Sequence, residues 1–375
     1  MLQDLLAIAI DIVGEAGLGI PRLPVPGNPA YDKLDLVSTP EAATIENGAD
    51  RSRPICGAIR FPGIQHSDRN IYMRFSGACF AAVVSLMVIG VSHADDVLPY
   101  EQKKDVVYAD AHGTGLLMDV FTPTGKPNGL GIVDIASGSW FSDRNKIRDH
   151  TLAQVYTIFC SRGYVVFAVR PGSKTRYTAA EMDRNVKSAI RYVKGHAGEY
   201  KIDPARLGLM GGSAGGHLAT LAALTPEPGK AAATNPTDRH DTSVHAVGAF
   251  FPPTDFLDWD GNKTIRIEVL GPLLFVGGAG GHSENEIKEA AKAISPLHRV
   301  EKPMIPFLLI HGDADPVVPL SQSKKLVEAI TKAGGSAELI VKPGGGHPWL
   351  TLSQEVKVMA DWFDKQLASK TTGAG

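Results

Sequence analysis

Short apolar runs alternate with segments of helical length over residues 104–369. Continuous apolar runs of this length are typical of strands that are buried on both faces of a parallel sheet. The run at residues 305–310 is of this kind, and shorter apolar runs at 130–135, 163–169, 205–210 and 244–251 are also interpreted as buried strands. Because helices are predicted between them, the pattern indicates one α/β domain with a mostly parallel central sheet and helices on both faces.

Further strands lie at the two ends of this pattern, and one insertion interrupts it. Residues 104–109 and 116–121 predict an opening pair of strands, and residues 336–341 predict the last strand. Helices are predicted at residues 145–161, 179–198 and 216–224. The insertion covers residues 252–303 and has one predicted helix, at residues 284–294. In α/β sheets ligands bind beyond the carboxyl ends of the strands, so we expect the insertion to form a small lid and a substrate pocket.

An apolar stretch of a different kind occupies residues 75–91. Met73 and Arg74 precede it, and a Ser-His-Ala sequence ending at Ala94 follows it. A basic start, an apolar run and a small-x-small site are the parts of a secretory signal peptide, which we predict at residues 73–94. Residues 1–72 are then expected to lie outside the mature protein, residues 95–375 to form the α/β domain, and the location to be secreted or periplasmic. A membrane anchor and a buried core helix are the alternatives.

Composition narrows the classes of partner. The formal net charge is −2 and the basic residues are scattered, so we expect neither a nucleic-acid partner nor stable membrane insertion. The chain has no Cys-x-x-Cys and no His-Glu-x-x-His, and we predict no metal and no cofactor. Cys56 and Cys79 precede the predicted mature domain, which leaves Cys160 as a predicted buried thiol. The sequence leaves the oligomeric state open.

The most informative motif is G-G-S-A-G at residues 211–215, between the strand at 205–210 and the helix at 216–224. Strand, G-x-S-x-G and helix together form the context of a nucleophile elbow, in which small residues allow a sharp turn at the serine. The following helix N-terminus favours negative charge that develops beside the serine. Ser213 is therefore the predicted nucleophile.

Candidate partners for this serine follow later strands. Asp315 lies in the loop after the strand at 305–310, and Asp313 in the same loop is the alternative acid. His347 lies in a glycine-rich loop after the last predicted strand. The order Ser, Asp, His is that of the α/β-hydrolases, in which serine attacks, histidine takes its proton and aspartate orients the imidazole. We interpret His311 and His217 as structural residues.

Residues 200–219, Y-K-I-D-P-A-R-L-G-L-M-G-G-S-A-G-G-H-L-A, resemble the elbow region of hormone-sensitive-lipase-like and feruloyl or acetyl-xylan-esterase-like α/β-hydrolases. Residues 311–319 match their motif H-G-x-x-D-x-x-V-P, with Asp315 as the acid. The resemblance extends over residues 104–369. It implies an α/β-hydrolase fold and a serine carboxylic-ester hydrolase that acts on short-chain or carbohydrate-linked acyl esters, with small molecules or polysaccharides carrying the ester.

One loop departs from the family pattern. Where the family has H-G-G-G-W, residues 136–140 read A-S-G-S-W. An oxyanion hole uses backbone N–H groups, so Gly138, Ser139 and Ala214 are the candidate donors. Serines at glycine positions put the shape of the loop in question, because serine adopts positive φ at a cost. Aromatic residues expected at the substrate pocket are Trp140, Trp259 and Trp349.

Two other functions are compatible with the same motifs. A prolyl-oligopeptidase-like peptidase uses the same three residues, although such enzymes usually carry an N-terminal propeller that this chain is too short to hold. A catalytically inactive binding protein on a hydrolase scaffold is the alternative from another class. Failure of a fluorophosphonate probe to label Ser213 would favour that alternative.

Overall fold

The apolar runs fold into the strands of one sheet in the structure, a computed structural model that describes residues 97–261, 267–301 and 305–368. The predicted signal peptide and residues 1–72 lie outside the described residues. The strands are β1 (Tyr100–Ala111), β2 (Thr114–Pro123), β3 (Gly131–Ile135), β4 (Val165–Val169), β5 (Leu207–Gly212), β6 (Ala246–Phe250), β7 (Phe307–Gly312) and β8 (Ala337–Lys342). Their order is β1-β2-β4-β3-β5-β6-β7-β8. The pairs β1–β2 and β2–β4 are antiparallel and all others are parallel, so the predicted mostly parallel sheet is confirmed.

Helices cover both faces of this sheet. They are α1 (Arg144–Leu152), α2 (Val155–Ser161), α3 (Ala179–Gly195), α4 (Ala197–Tyr200), α5 (Ala214–Leu224), α6 (Ile267–Leu274), α7 (Glu284–Ile294), α8 (Leu320–Lys332) and α9 (Leu352–Ala368). Alternate residues of a strand point to opposite faces, and Ile132 and Val133 accordingly belong to different hydrophobic cores. One core includes residues of α3, α5 and α8, and the other includes residues of α1, α2 and α9. The α/β-hydrolase architecture is therefore present.

Some elements differ from their predicted bounds. The helix expected at residues 145–161 is two helices, because Gln154 adopts a left-handed φ of 62° between α1 and α2. In the insertion, α7 matches the predicted helix and begins with a capping box formed by Ser283 and Glu286. Helix α6 was not expected, and its Leu270 and Leu273 are buried in the same core as α3 and α5. The insertion thus packs on the body of the domain through apolar side chains.

One further expectation concerns a single side chain. Cys160 is a buried thiol in α2, and burial raises its pKa to about 12. Across the described ranges, no helix combines the length and the apolar character needed to span a bilayer.

The strand register brings several loops to one edge of the sheet. Ile135 of β3 pairs with Gly211 of β5, and Gly212 of β5 pairs with Phe250 of β6. Gly312 of β7 pairs with Lys342 at the end of β8. Because these strands are parallel and end at similar heights, the loops that follow them meet beyond their carboxyl ends.

Candidate active site

Ser213 occupies a sharp turn between β5 and α5. Its φ of 53° and ψ of −120° lie outside the helical and extended regions, as the strained turn of a nucleophile elbow requires. A Cβ at Gly211 would lie 2.5 Å from the carbonyl carbon of Gly215, and one at Gly215 would lie 2.2 Å from the carbonyl oxygen of Ile135. Both contacts are too short for a side chain, so the two glycines of the motif are required by close backbone packing.

The structure brings together the three side chains that were predicted to act together. His347 Nε2 lies 2.8 Å from Ser213 Oγ, and His347 Nδ1 lies 2.7 Å from Asp315 Oδ2. A carboxylate can only accept, so Nδ1 carries the proton and Nε2 accepts from the serine hydroxyl. The alternative acid, Asp313, instead accepts a hydrogen bond from the Gly344 N–H at 2.7 Å. Asp315 is thus the acid in contact with the histidine.

Asp315 is held as a carboxylate. Its side chain is fully buried, and burial by itself would raise its pKa. Hydrogen bonding from His311 and His347, together with the N–H groups of Val317 and Val318 at 2.8 and 2.9 Å, outweighs burial and holds the pKa well below its usual range. The ionised acid is therefore a fixed acceptor for His347. His311 is also fully buried. Its Nε2–H faces two acceptors, the Val318 carbonyl oxygen at 2.9 Å and Asp315 Oδ2 at 3.4 Å.

Two glycines that the sequence analysis did not single out set the distance between the acid and base loops. A Cβ at Gly312 would lie 2.1 Å from the carbonyl oxygen of Gly345. The same oxygen accepts the N–H of Ala314 at 3.0 Å. The glycine in the H-G-D sequence and the run of three glycines before His347 are the signals that could have indicated this crossing.

Phe251 is a further residue that the strand pattern did not identify as part of the site. It follows β6 with a φ of 37°, and its N–H donates to the Ile310 carbonyl at 2.8 Å. Its buried ring lies 4.4 Å from the His347 ring and 5.7 Å from the Trp349 ring, measured between centroids. Phe251 therefore packs directly against the candidate base.

The loop after β3 lies against the start of α5, because the Gly215 N–H donates to the Ser137 carbonyl at 3.1 Å. The Gly138 N–H donates to the Phe141 carbonyl at 3.0 Å, and the Phe141 N–H donates back to the Gly138 carbonyl at 2.9 Å. This pairing corrects the expectation that Gly138 supplies an oxyanion donor, since its only N–H is already used.

The other two candidate donors remain available. Within the described part of the chain, neither the Ser139 N–H nor the Ala214 N–H has a hydrogen-bond partner. Ser139 is exposed and adopts a φ of 50°, so a serine does take the left-handed conformation that its position requires.

The three tryptophans have different positions. Trp140 is only 6% exposed, and its indole N–H donates to His217 Nδ1 at 3.0 Å, which corrects its assignment to the substrate pocket. Trp259 is partly buried in the insertion, with its ring centroid 6.2 Å from that of Phe256. Trp349 is partly buried and donates to Glu355 at 2.7 Å. It lines an open pocket with residues 342–346 and its neighbours at 348, 350 and 351, on both sides of His347 in the sequence.

His217 is fully buried in α5, in keeping with its interpretation as a structural residue. Burial lowers its pKa to about 4, so the ring is neutral at ordinary pH. Among the residues that the structure describes, no group of three or more His, Cys, Asp or Glu side chains is arranged to hold a metal ion.

Comparison with known proteins identifies the family. The BD-FAE family model matches residues 118–330, which is more than half of the chain and includes Ser213 and Asp315. The chain belongs to the BD-FAE family. The expected resemblance to α/β-hydrolase serine esterases is thereby confirmed at the level of family and fold.

This BD-FAE protein is similar to two curated proteins of Mycobacterium tuberculosis. It is 27% identical to the probable carboxylic ester hydrolase LipM over 53% of this chain and 44% of that protein. It is also 27% identical to the esterase LipC, over 83% of this chain and 67% of that protein. The chain thus spans about half to two thirds of the length of these relatives.

Among solved structures, a truncated carbohydrate esterase from gut microbiota superposes with a TM-score of 0.62 and 27% identity. The superposition covers 73% of this chain and 99% of that structure.

Proposed function

We propose that this protein is a serine carboxylic-ester hydrolase that works through an acyl-enzyme. The observation that carries the proposal is that His347 is hydrogen-bonded both to Ser213 Oγ and to Asp315, while Ser213 occupies a nucleophile elbow. Similarity to proteins named as ester hydrolases supports the same reaction class.

The proposed reaction begins when Ser213 Oγ attacks the ester carbonyl carbon and His347 Nε2 takes the hydroxyl proton. The N–H groups of Ser139 and Ala214 stabilise the negative oxygen of the tetrahedral intermediate. His347 then donates the proton to the leaving alcohol as the carbon–oxygen bond breaks. A water molecule, activated by the same histidine, releases the acid and restores Ser213. Buried Asp315 stabilises the imidazolium form in both halves of the cycle.

For the substrate, we propose short-chain or carbohydrate-linked acyl esters. The similarity to a carbohydrate esterase supports a sugar-linked alcohol. We further propose that residues 73–94 direct export, because an extracellular or periplasmic location would give access to such substrates.

The test is hydrolysis of acetyl, butyryl, octanoyl and feruloyl esters by the purified full chain. Ser213→Ala should abolish turnover and leave thermal unfolding unchanged. The control Ser188→Ala changes a partly buried serine on α3 whose hydroxyl bonds only to the Arg184 carbonyl among the described residues, and it should retain wild-type rates. Wild-type rates in Ser213→Ala would refute the mechanism, and a preference for octanoyl esters would refute the short-acyl assignment. Cleavage of peptide amides without ester turnover would indicate the peptidase alternative.

A further inference from the structure

A strained turn carries the Ser139 N–H. Gly138 and Phe141 bond reciprocally through their backbones, and the two residues between them, Ser139 and Trp140, have φ of 50° and 58°. Positive φ at both central positions is the pattern of type I′ turns, which favour Asn and Gly. A bulky tryptophan in this conformation is an outlier that persists only when its surroundings hold it.

Two hydrogen bonds hold Trp140 in this conformation. Its indole N–H donates to His217 Nδ1 at 3.0 Å, and His217 Nε2 lies 2.7 Å from the carbonyl oxygen of Ile294. An indole N–H can only donate and a carbonyl can only accept, so His217 must be neutral with its proton on Nε2. All three residues are buried. The two hydrogen bonds from Trp140 to His217 and from His217 to Ile294, called here the Trp140–His217 relay, therefore join the turn to α5 and to the end of α7 without intervening solvent.

Phe256 of the insertion packs against both rings of the Trp140–His217 relay. The Phe256 ring lies 4.9 Å from the His217 ring and 5.9 Å from the Trp140 ring, and Phe256 is fully buried. The Phe256 N–H donates to Ser295 Oγ at 3.0 Å, directly after α7. The first residues of the insertion therefore pack against His217 of α5, the helix that follows the elbow.

We propose that Trp140 and His217 are positioning residues that hold the Ser139 N–H in the direction from which it stabilises the oxyanion, an inference that rests on the proposed ester-hydrolase function. The Ser139 side chain is exposed and makes no hydrogen bond within the described residues, so it does not orient its own amide. Without the bond from Trp140 to His217, the turn can relax toward negative φ and rotate the donor. The loss would then appear in the transition state, where the oxyanion forms, more than in substrate binding.

The decisive variant is Trp140→Phe, which keeps an aromatic ring and removes the N–H. We expect kcat per titrated active site to fall about 10- to 100-fold, with KM changed by less than about threefold. Trp362→Phe is the matched control, because that indole is also buried, at 7% exposure, and donates to Glu338 at 3.2 Å. The control should alter thermal stability at most and leave kcat unchanged.

A second pair of variants separates positioning from folding. The glutamine of His217→Gln still offers one acceptor and one donor, so this variant should retain much of the wild-type kcat. The leucine of His217→Leu offers neither, so kcat should fall as far as in Trp140→Phe. Affinity for a trifluoromethyl ketone, which forms a tetrahedral oxyanion with the serine, should fall in parallel with kcat. Active sites are counted with a fluorophosphonate, so unfolded molecules do not enter kcat.

Wild-type kcat in Trp140→Phe, or equal kcat in the Gln and Leu variants of His217, would overturn the inference. A parallel loss in Trp362→Phe would also overturn it, by showing a general effect of removing a buried indole N–H. If the wild-type protein shows no Ser213-dependent ester hydrolysis, the proposed function fails first and the positioning role fails with it.

Discussion

Replacement of Gly215 by alanine tests the packing on which the elbow depends. Gly215 lies in the first turn of α5 and does not have a positive φ, so the backbone itself accepts alanine. Helix propensity alone would then favour the alanine by up to about 1 kcal/mol. The new Cβ, however, would lie 2.2 Å from the Ile135 carbonyl oxygen. Carbon and oxygen atoms in close contact are normally separated by about 3.3 Å, so β3 and α5 must separate by roughly 1 Å.

This displacement should affect both stability and catalysis. Overpacking of this kind typically lowers the free energy of unfolding by about 1–3 kcal/mol. The Gly215 N–H donates to the Ser137 carbonyl, so the loop that carries Ser139 would move away from Ser213. A misplacement of about 1 Å can lower kcat on the order of 100-fold.

Urea unfolding and ester kinetics measure the two effects, and Gly212→Ala is the matched control. A Cβ at Gly212 would have its nearest neighbour at 3.7 Å, an ordinary contact. This variant should retain nearly wild-type stability and kcat. Wild-type behaviour of Gly215→Ala would refute the steric reasoning, and equal losses in both variants would show that any side chain beside the elbow is harmful.

Three further predictions address the acid, the buried histidine and the start of the chain. Asp315→Asn should lower kcat about 10³- to 10⁴-fold in ester kinetics, because an amide no longer selects the required His347 tautomer, whereas Asp313→Asn should stay within about tenfold. Burial lowers the pKa of His217 from 6.5 to about 4, so only the unfolded chain binds its proton between these values. Acidification across this range should therefore cost about 3 kcal/mol of stability in urea unfolding, a loss that His217→Gln should lack. A chain that starts at Asp95 should match the full chain in thermal stability and kcat; a clear loss in either would show that the preceding residues contribute to the domain.

The sequence was most informative where a property is local. Burial on both faces makes a parallel strand largely apolar, so the central strands could be located from the apolar runs along the chain. The elbow was also visible locally, since its glycines are required by backbone contacts within a few residues of Ser213 and by one neighbouring strand. The start of α7 was also predictable from nearby residues, because its capping box joins Ser283 to Glu286, only three positions later in the sequence.

Features that depend on contacts between distant segments could not be predicted in the same way. The use of the Gly138 N–H by Phe141 depends on the left-handed turn between them, and that turn is held by a histidine on another element. Trp140 therefore points into the core, although a tryptophan in this motif was expected at the substrate pocket. The crossing of Gly312 and Gly345 likewise depends on how two loops pack after β7 and β8.

The sequence by itself thus determined the strand and helix pattern, the elbow and the order of the three candidate catalytic residues. The family motif already favoured Asp315 over Asp313, and the tertiary structure shows that it is Asp315 that contacts His347. Only the tertiary structure decided which backbone N–H groups remain free. The physical reason is that periodicity and turn chemistry depend on neighbouring residues. Hydrogen-bond partners between separate loops depend instead on packing, where a shift of about 1 Å exchanges one partner for another.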